Sequence, residues 1–243
     1  MMFNDLGWAA LCFYYRSIAD RKYCKIMADT EFITTLRQTP FEIKPEEFEQ
    51  KVLLDHINIT NYDLLVGNVL AEEILSKIIG LQPDVSSLQN LTLLNCDLSD
   101  SEVTNRIARI YSILYSIQGL WVTGVSKIAH ILNDNLLVLL SPDITRHFDI
   151  PEDSSGLVEW LRIMQRSARQ AVDDFHDRGF SRTPEVFISE KLGYTNHNCY
   201  KSLAKYLDEY YWLRFADCTS SSNALNSIMT DSTMLISNGS SCL

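Results

Sequence analysis

Gly119-Leu-Trp-Val-Thr-Gly-Val-Ser-Lys-Ile-Ala-His-Ile-Leu-Asn-Asp-Asn-Leu-Leu-Val-Leu-Leu-Ser-Pro-Asp-Ile-Thr-Arg-His-Phe148 is the stretch whose reading decides the fold. Gly119 follows a long helical pattern and is placed to close it, because glycine accepts the left-handed backbone common at helix C-termini. Leu120, Trp121 and Val122 are apolar and would pin the turn to a core. Thr123-Gly124 then opens a second helix, expected from Val125 to about Leu132, with Thr123 or Ser126 placed to cap its free amides. Asn133-Asp134-Asn135 ends it, since these side chains compete with the helical backbone for hydrogen bonds. Leu136 to Leu140 is an apolar run whose type periodicity leaves open. Ser141-Pro142-Asp143 reads as a fresh helix start, with Ser141 as cap, Pro142 at the first position and Asp143 favoured by the dipole.

Outward from this stretch the chain reads as amphipathic helix. Asp29 to Gln38 is a short helix stopped at Thr39-Pro40. Pro45-Glu46-Glu47 starts another, running through Phe48, Val52, Leu53 and His56. Thr60 is expected to cap a longer helix with Leu64, Leu65, Val69, Ile74, Ile78 and Ile79 on its apolar face, stopped at Gly80. Residues 83–97 read as polar and irregular. Ser99-Asp100-Ser101-Glu102 is a capping signature, with Ile107, Ile110, Tyr111, Leu114 and Ile117 as the stripe behind it. Beyond the central stretch, a helix is expected from Ser154 or Ser155 to about Arg178. Its Arg162, Arg166 and Arg169 share one face, opposite Leu161, Met164, Ala168, Val172 and Phe175. Thr183-Pro184-Glu185 opens the next helix, and Lys201 to Phe215 is the last, dense in Tyr and Trp. The fold class expected is therefore all-α, a multi-helix domain with a central hairpin turn and two helical halves enclosing a cleft.

Composition bounds the domain plan. The chain has 243 residues, of which 46% are hydrophobic, enough for a sizeable core. A single helical domain is expected over 27–216. Residues 1–26, rich in aromatics and Cys with basic residues after them, are either an extra packing helix or a start placed before Met27. Residues 217–243 are Ser/Thr/Asn-rich without Lys or Arg and are expected to be a disordered tail. The net charge of −10 counts against a general nucleic-acid binder, although a local basic face can coexist with an acidic whole. Six scattered cysteines with no Cys-x-x-Cys pair read as reduced intracellular thiols rather than a disulfide framework or zinc site. No metal or cofactor is expected, no membrane span is read, and a cytoplasmic location follows.

Helix, Gly turn, helix, apolar run, then Asp143 three residues before Arg146 resembles the helix-hairpin-helix DNA glycosylases. The matching positions are Gly124, Val125, Lys127, Ala129, Asp143 and Arg146, all within 119–148, with Thr123 and Ser126 standing where the family's hairpin has proline and a second glycine. The resemblance implies a base-excision glycosylase or lyase acting on duplex DNA. It implies hairpin amides around Gly124 and Ser126 as a phosphate clamp, Lys127 as amine nucleophile and Asp143 as the carboxylate supporting a cationic sugar. Arg146 and the Arg162, Arg166 and Arg169 face would meet phosphates, the arginines otherwise pairing with nearby acids. His130, one turn past Lys127, is either an acid–base group or a core histidine, and His147 either meets an anion or is structural. Tyr206, Tyr210, Tyr211 and Trp212 would stack bases or fill the core. The alternative is a non-enzymatic helical protein whose acidic surface binds a basic protein partner.

Overall fold

The computed structural model describes residues 2–16, 18–57, 67–194 and 199–215, and these contain helices and connecting turns with no strand among them. The helices are α1 (Phe3–Arg16), α2 (Ile18–Ala28), α3 (Thr30–Gln38), α4 (Pro45–Phe48), α5 (Gly67–Leu88), α6 (Ser101–Tyr115), α7 (Val122–Leu132), α8 (Pro142–Phe148), α9 (Ser154–Asp177), α10 (Pro184–Lys191) and α11 (Leu203–Phe215). A π-wound segment, Glu49–Ile57, continues α4. The expected Thr60 cap, Leu64, Leu65 and the tail at 217–243 lie outside the described residues. No helix among the described residues is long and apolar enough to cross a membrane.

Local caps explain four of the helix starts. Asp29 accepts from the Phe32 amide at the start of α3, Asp100 from Glu102 at α6, and Ser141 from Ile144 at α8. Each satisfies an amide that the first helical turn leaves without an intrahelical partner. At α9 the cap is Asp153, which takes the amides of Ser155 and Gly156. The apolar stripes then face one continuous core, in which Ile107, Ile110, Tyr111 and Leu114 of α6 meet Leu161, Met164, Ala168 and Phe175 of α9.

Helix α5 departs from the sequence expectation. It does not stop at Gly80 but runs through Gly80 and Pro83 to Leu88. Ile74, Ile78, Leu81, Val85 and Leu88 are all buried, spaced four, three, four and three. Carrying the last three into the core gains roughly 1.5–3 kcal/mol each. That outweighs helix penalties of about 1 kcal/mol for glycine and about 3 kcal/mol for proline. Gly80 itself is exposed and helical, and an added Cβ meets nothing within 4 Å. Gly80→Ala is therefore expected to stabilise the fold by about 0.5–1 kcal/mol, read as a higher urea midpoint.

The hairpin also differs from its reading. Helix α6 ends at Tyr115, and the turn is made at Gly119, whose φ of +92° calls for glycine. Helix α7 already begins at Val122, with Trp121 as N-cap and no side-chain cap. Thr123 and Ser126 therefore do not cap it. The Ser126 hydroxyl instead bonds the Thr123 and Leu140 carbonyls, tying α7 to the apolar run. Gly124 lies inside the helix, and a Cβ there would make only ordinary contacts with Leu120 and Ile57. Leu136–Leu140 is neither strand nor helix. It is a buried connection held by its neighbours, including a Trp160 indole N–H donated to the Leu139 carbonyl at 2.9 Å.

The N-terminal segment packs into the same core. Helix α1 lies on α11 and α9, with Phe3, Leu6 and Ala10 buried, and Phe3 rests against Phe175. Helix α2 contributes Tyr23 and Ile26 to the interior. The expectation of reduced thiols is overturned: Cys24 on α2 is bonded to Cys199 just before α11. The sequence separation of 175 residues hid the pairing, since only the docking of α2 beside α11 brings the sulfurs together.

Candidate functional site

Lys127 sits on the second turn of α7, half-buried, with its ammonium donating to the Ile57 carbonyl at 3.5 Å. It lines a cavity of about 300 Å³ together with Tyr23, His56, Lys205, Asp208 and Trp212. The remaining wall is Thr123 and the Leu139–Ser141 connection with Ile144. Four parts of the chain thus converge: α2, the π-wound segment after α4, the α7–α8 region and α11. The lining is mostly apolar with a few polar residues among it, the usual character of a ligand pocket.

The electrostatics of this cavity are unusual for the chain. Burial pushes the Lys127 pKa down, the cations Lys205 and Lys22 push it further, and Asp208 opposes them. Lys205 is buried, and burial works against its charge, yet Asp208 and Glu209 outweigh that and lift its pKa to about 12. Its Nζ donates to Asp208 at 2.9 Å and lies 5.2 Å from the centre of the Tyr23 ring. Burial, with Lys127 beside it, holds His56 well below the ordinary histidine pKa, so its imidazole is neutral at pH 7. Burial, with Asp134 nearby, raises the Tyr23 phenol well above its usual value, so it keeps its proton. Among the described residues, neither ring nitrogen of His56 nor the Tyr23 hydroxyl has a hydrogen-bond partner, although both side chains are over nine-tenths buried. Unmade bonds of this kind cost about 1–3 kcal/mol each, and both residues that carry them belong to the cavity wall.

The residues singled out by sequence are only partly gathered here. Lys127 is in the cavity and Gly124 and Ser126 are on the same helix, but Asp143 is not in the lining. The Asp143 carboxylate is paired with Arg146 one turn along α8, where the arginine is mostly exposed. The Arg162, Arg166 and Arg169 face is also elsewhere. All three are exposed on α9, Arg162 donates to the Leu98 carbonyl at 3.2 Å, and Arg169 faces Asp97. His130 is a core residue, fully buried, with Nδ1 bonded to the Leu137 carbonyl, so it braces the apolar run instead of facing the cavity. His147 stacks on Phe215 with ring centres 3.9 Å apart. Tyr206 and Tyr211 are buried, whereas Trp212 reaches the cavity.

Tyr23, His56, Lys205 and Asp208 escaped the sequence reading as site residues. A signal did exist on α11. Lys205, Asp208 and Trp212 are spaced three and four apart, so they share one helix face, where two charges and an indole interrupt a run of Tyr and Leu. No such signal marks Tyr23 or His56, which are distant in sequence and meet only through the fold. Comparison of the chain with protein-family models, with curated proteins and with solved structures finds no match.

Proposed function

We propose that the chain is a helix-hairpin-helix-type protein acting on DNA, in which Lys127 is the amine of a base-excision lyase. One observation carries the reading: a lysine inclined toward its neutral form shares a cavity with two buried, unpartnered groups that can read a ligand. A neutral amine is the nucleophilic form, and desolvation beside other cations is a recognised way to obtain it. In this reading α3–α7 form one helical half and the helices around α11 form the other, with the cavity between them receiving an extruded nucleotide. Lys127 and Lys205 in the wall, with Lys22 near enough to act on Lys127, bring positive charge to the cavity of a chain of net charge −10. Asp208, not Asp143, is then the acid that accompanies the amine.

The chemistry proposed is imine formation at a base-free sugar. The Lys127 nitrogen bonds to the C1′ aldehyde carbon, and the aldehyde oxygen leaves as water with the two amine hydrogens. Borohydride reduces the resulting imine to a stable amine and links protein to DNA. Duplex DNA with one abasic site should give such an adduct, and Lys127→Ala should reduce it to background. Lys205→Ala should lower the yield without abolishing it, because that ammonium helps push the Lys127 pKa down but is itself held protonated by its acids. A wild-type protein that yields no adduct, or an adduct that survives Lys127→Ala, overturns the lyase.

The net charge of −10 favours a second reading, in which the acidic exterior binds a basic protein and the hairpin is structural. Duplex-DNA affinity indifferent to salt between 50 and 200 mM would speak for it, since phosphate contacts weaken steeply over that range.

A further inference from the structure

Among the described residues, the Cys24–Cys199 bond is approached from the Cys24 side. Cys199 is fully buried, while Cys24 is half-buried and lines a second cleft, about 470 Å³, on the α2 side of the molecule. Tyr194, Asp20, Arg21 and Lys25 share that cleft, and Arg21 and Lys25 lie three residues before and one after the cysteine on the exposed side of α2. Lys25 also pairs with Asp55 at 2.6 Å. An incoming thiolate must line up with a sulfur of the bond it breaks, so only the Cys24 sulfur can be attacked. Two exposed cations at the mouth favour a reagent that carries its own negative charge.

We propose that Cys24 is a thiol-exchange site, and that the cleft admits a small anionic thiol of the glutathione type. The thiolate attacks Cys24 Sγ and forms a mixed disulfide there. The Cys24–Cys199 bond breaks, and its electron pair leaves on Cys199 Sγ, which takes up a proton. A second thiolate then attacks the small-molecule sulfur of the mixed disulfide, releasing the Cys24 thiol and a symmetric small-molecule disulfide. Two small thiols are oxidised and one protein disulfide is reduced, so electrons and atoms balance.

The position of the bond gives the exchange a consequence. Tyr23, one residue from Cys24, and Lys205, six residues after Cys199, both line the Lys127 cavity, with the ammonium 5.2 Å from the Tyr23 ring centre. Lys201, two residues after Cys199, pairs with Asp20 of the same α2. Breaking the disulfide therefore removes a covalent tie between the two helices that frame the cavity. This inference stands whether or not Lys127 acts on DNA.

The test uses the full chain, oxidised, with reduced glutathione or uncharged mercaptoethanol, quenched by acid and alkylation, and mapped by peptide mass. Before thiol is added, Cys24 and Cys199 should resist alkylation and be recovered as one linked peptide. During exchange the glutathione adduct should appear on Cys24 and not on Cys199. The Arg21→Glu and Lys25→Glu double variant should slow exchange with glutathione by about tenfold while leaving the mercaptoethanol rate unchanged. Complete reduction should lower Tm by roughly 10 °C. Free alkylation of both cysteines before reduction, an adduct on Cys199, or equal slowing with both thiols would overturn the proposal.

Discussion

Replacing Lys201 with alanine is expected to destabilise the protein by about 3–5 kcal/mol, the usual cost of leaving buried charge uncompensated. The Lys201 side chain is wholly buried just before α11 and pairs with Asp20 of α2 and with Glu209 of α11, the latter at 2.7 Å. It also donates to the Tyr194 hydroxyl at 2.8 Å, and that hydroxyl donates to Asp20 at 2.8 Å. Lys205 touches the same Glu209 from 3.7 Å, so the buried cluster is continuous with the cation that lines the Lys127 cavity. Alanine would leave two carboxylates in the interior without the cation that bridges them. Urea unfolding followed by circular dichroism measures the loss. A change below about 1 kcal/mol would mean that the ion pairs contribute no more than surface pairs do.

The same variant should respond to pH in a defined direction. Burial raises the Glu209 pKa above its ordinary value, with Lys201 and Lys205 opposing the rise. A carboxyl with a raised pKa in the folded state holds its proton more tightly folded than unfolded, so stability falls as pH rises through that range. Removing Lys201 removes the larger opposing charge and strengthens the effect. The deficit of Lys201→Ala should therefore shrink as pH is lowered from 7 toward 5, still above the unfolded Glu value of about 4.3. Unfolding curves at pH 5, 6 and 7 check the sign. A deficit that grows on acidification would contradict it.

Gly156→Ala is expected to cost about 3 kcal/mol or more, at the upper end of overpacking. A Cβ built on Gly156 falls 1.8 Å from the Pro151 carbonyl oxygen and 2.8 Å from its carbon, so backbone must move. The close approach arises because the Asp153 cap folds residues 151–156 tightly over the first turn of α9, taking the Ser155 and Gly156 amides. That helix carries Trp160, Leu161 and Met164 into the core, so a shift at its start disturbs packing along its length. Gly80→Ala, with open space around it, is the matched control and should move the urea midpoint the other way.

The helical class and most helix starts were legible in the chain because they depend on neighbours in sequence. Asp100 before α6, Ser141-Pro142 before α8 and Thr183-Pro184 before α10 act over a single turn, and the three- and four-residue spacing of apolar side chains does the rest. Where a local preference competed with burial, the reading failed. Gly80 and Pro83 predict an end to α5, but Leu81, Val85 and Leu88 have a core to enter, and no local rule reports that core. Gly119 was read as taking the left-handed backbone and does so, but Gly124, matched to the family's hairpin glycine, lies inside α7.

The site divides in the same way. Lys127 could be named from sequence, because a lysine three residues after Gly124 is a local pattern. Its surroundings could not. Whether its charge is opposed by Lys205 or stabilised by Asp143 depends on which helices lie across the cavity, and α11 with Lys205 and Asp208 is what lies there. The amino-acid order by itself determined an all-helical chain with its caps and apolar stripes, since those forces act within a turn or two. Only the tertiary structure decided which charges are buried together, which imidazole is left without a partner and which cysteines are joined, because desolvation and Coulomb energies depend on distances between residues far apart in sequence.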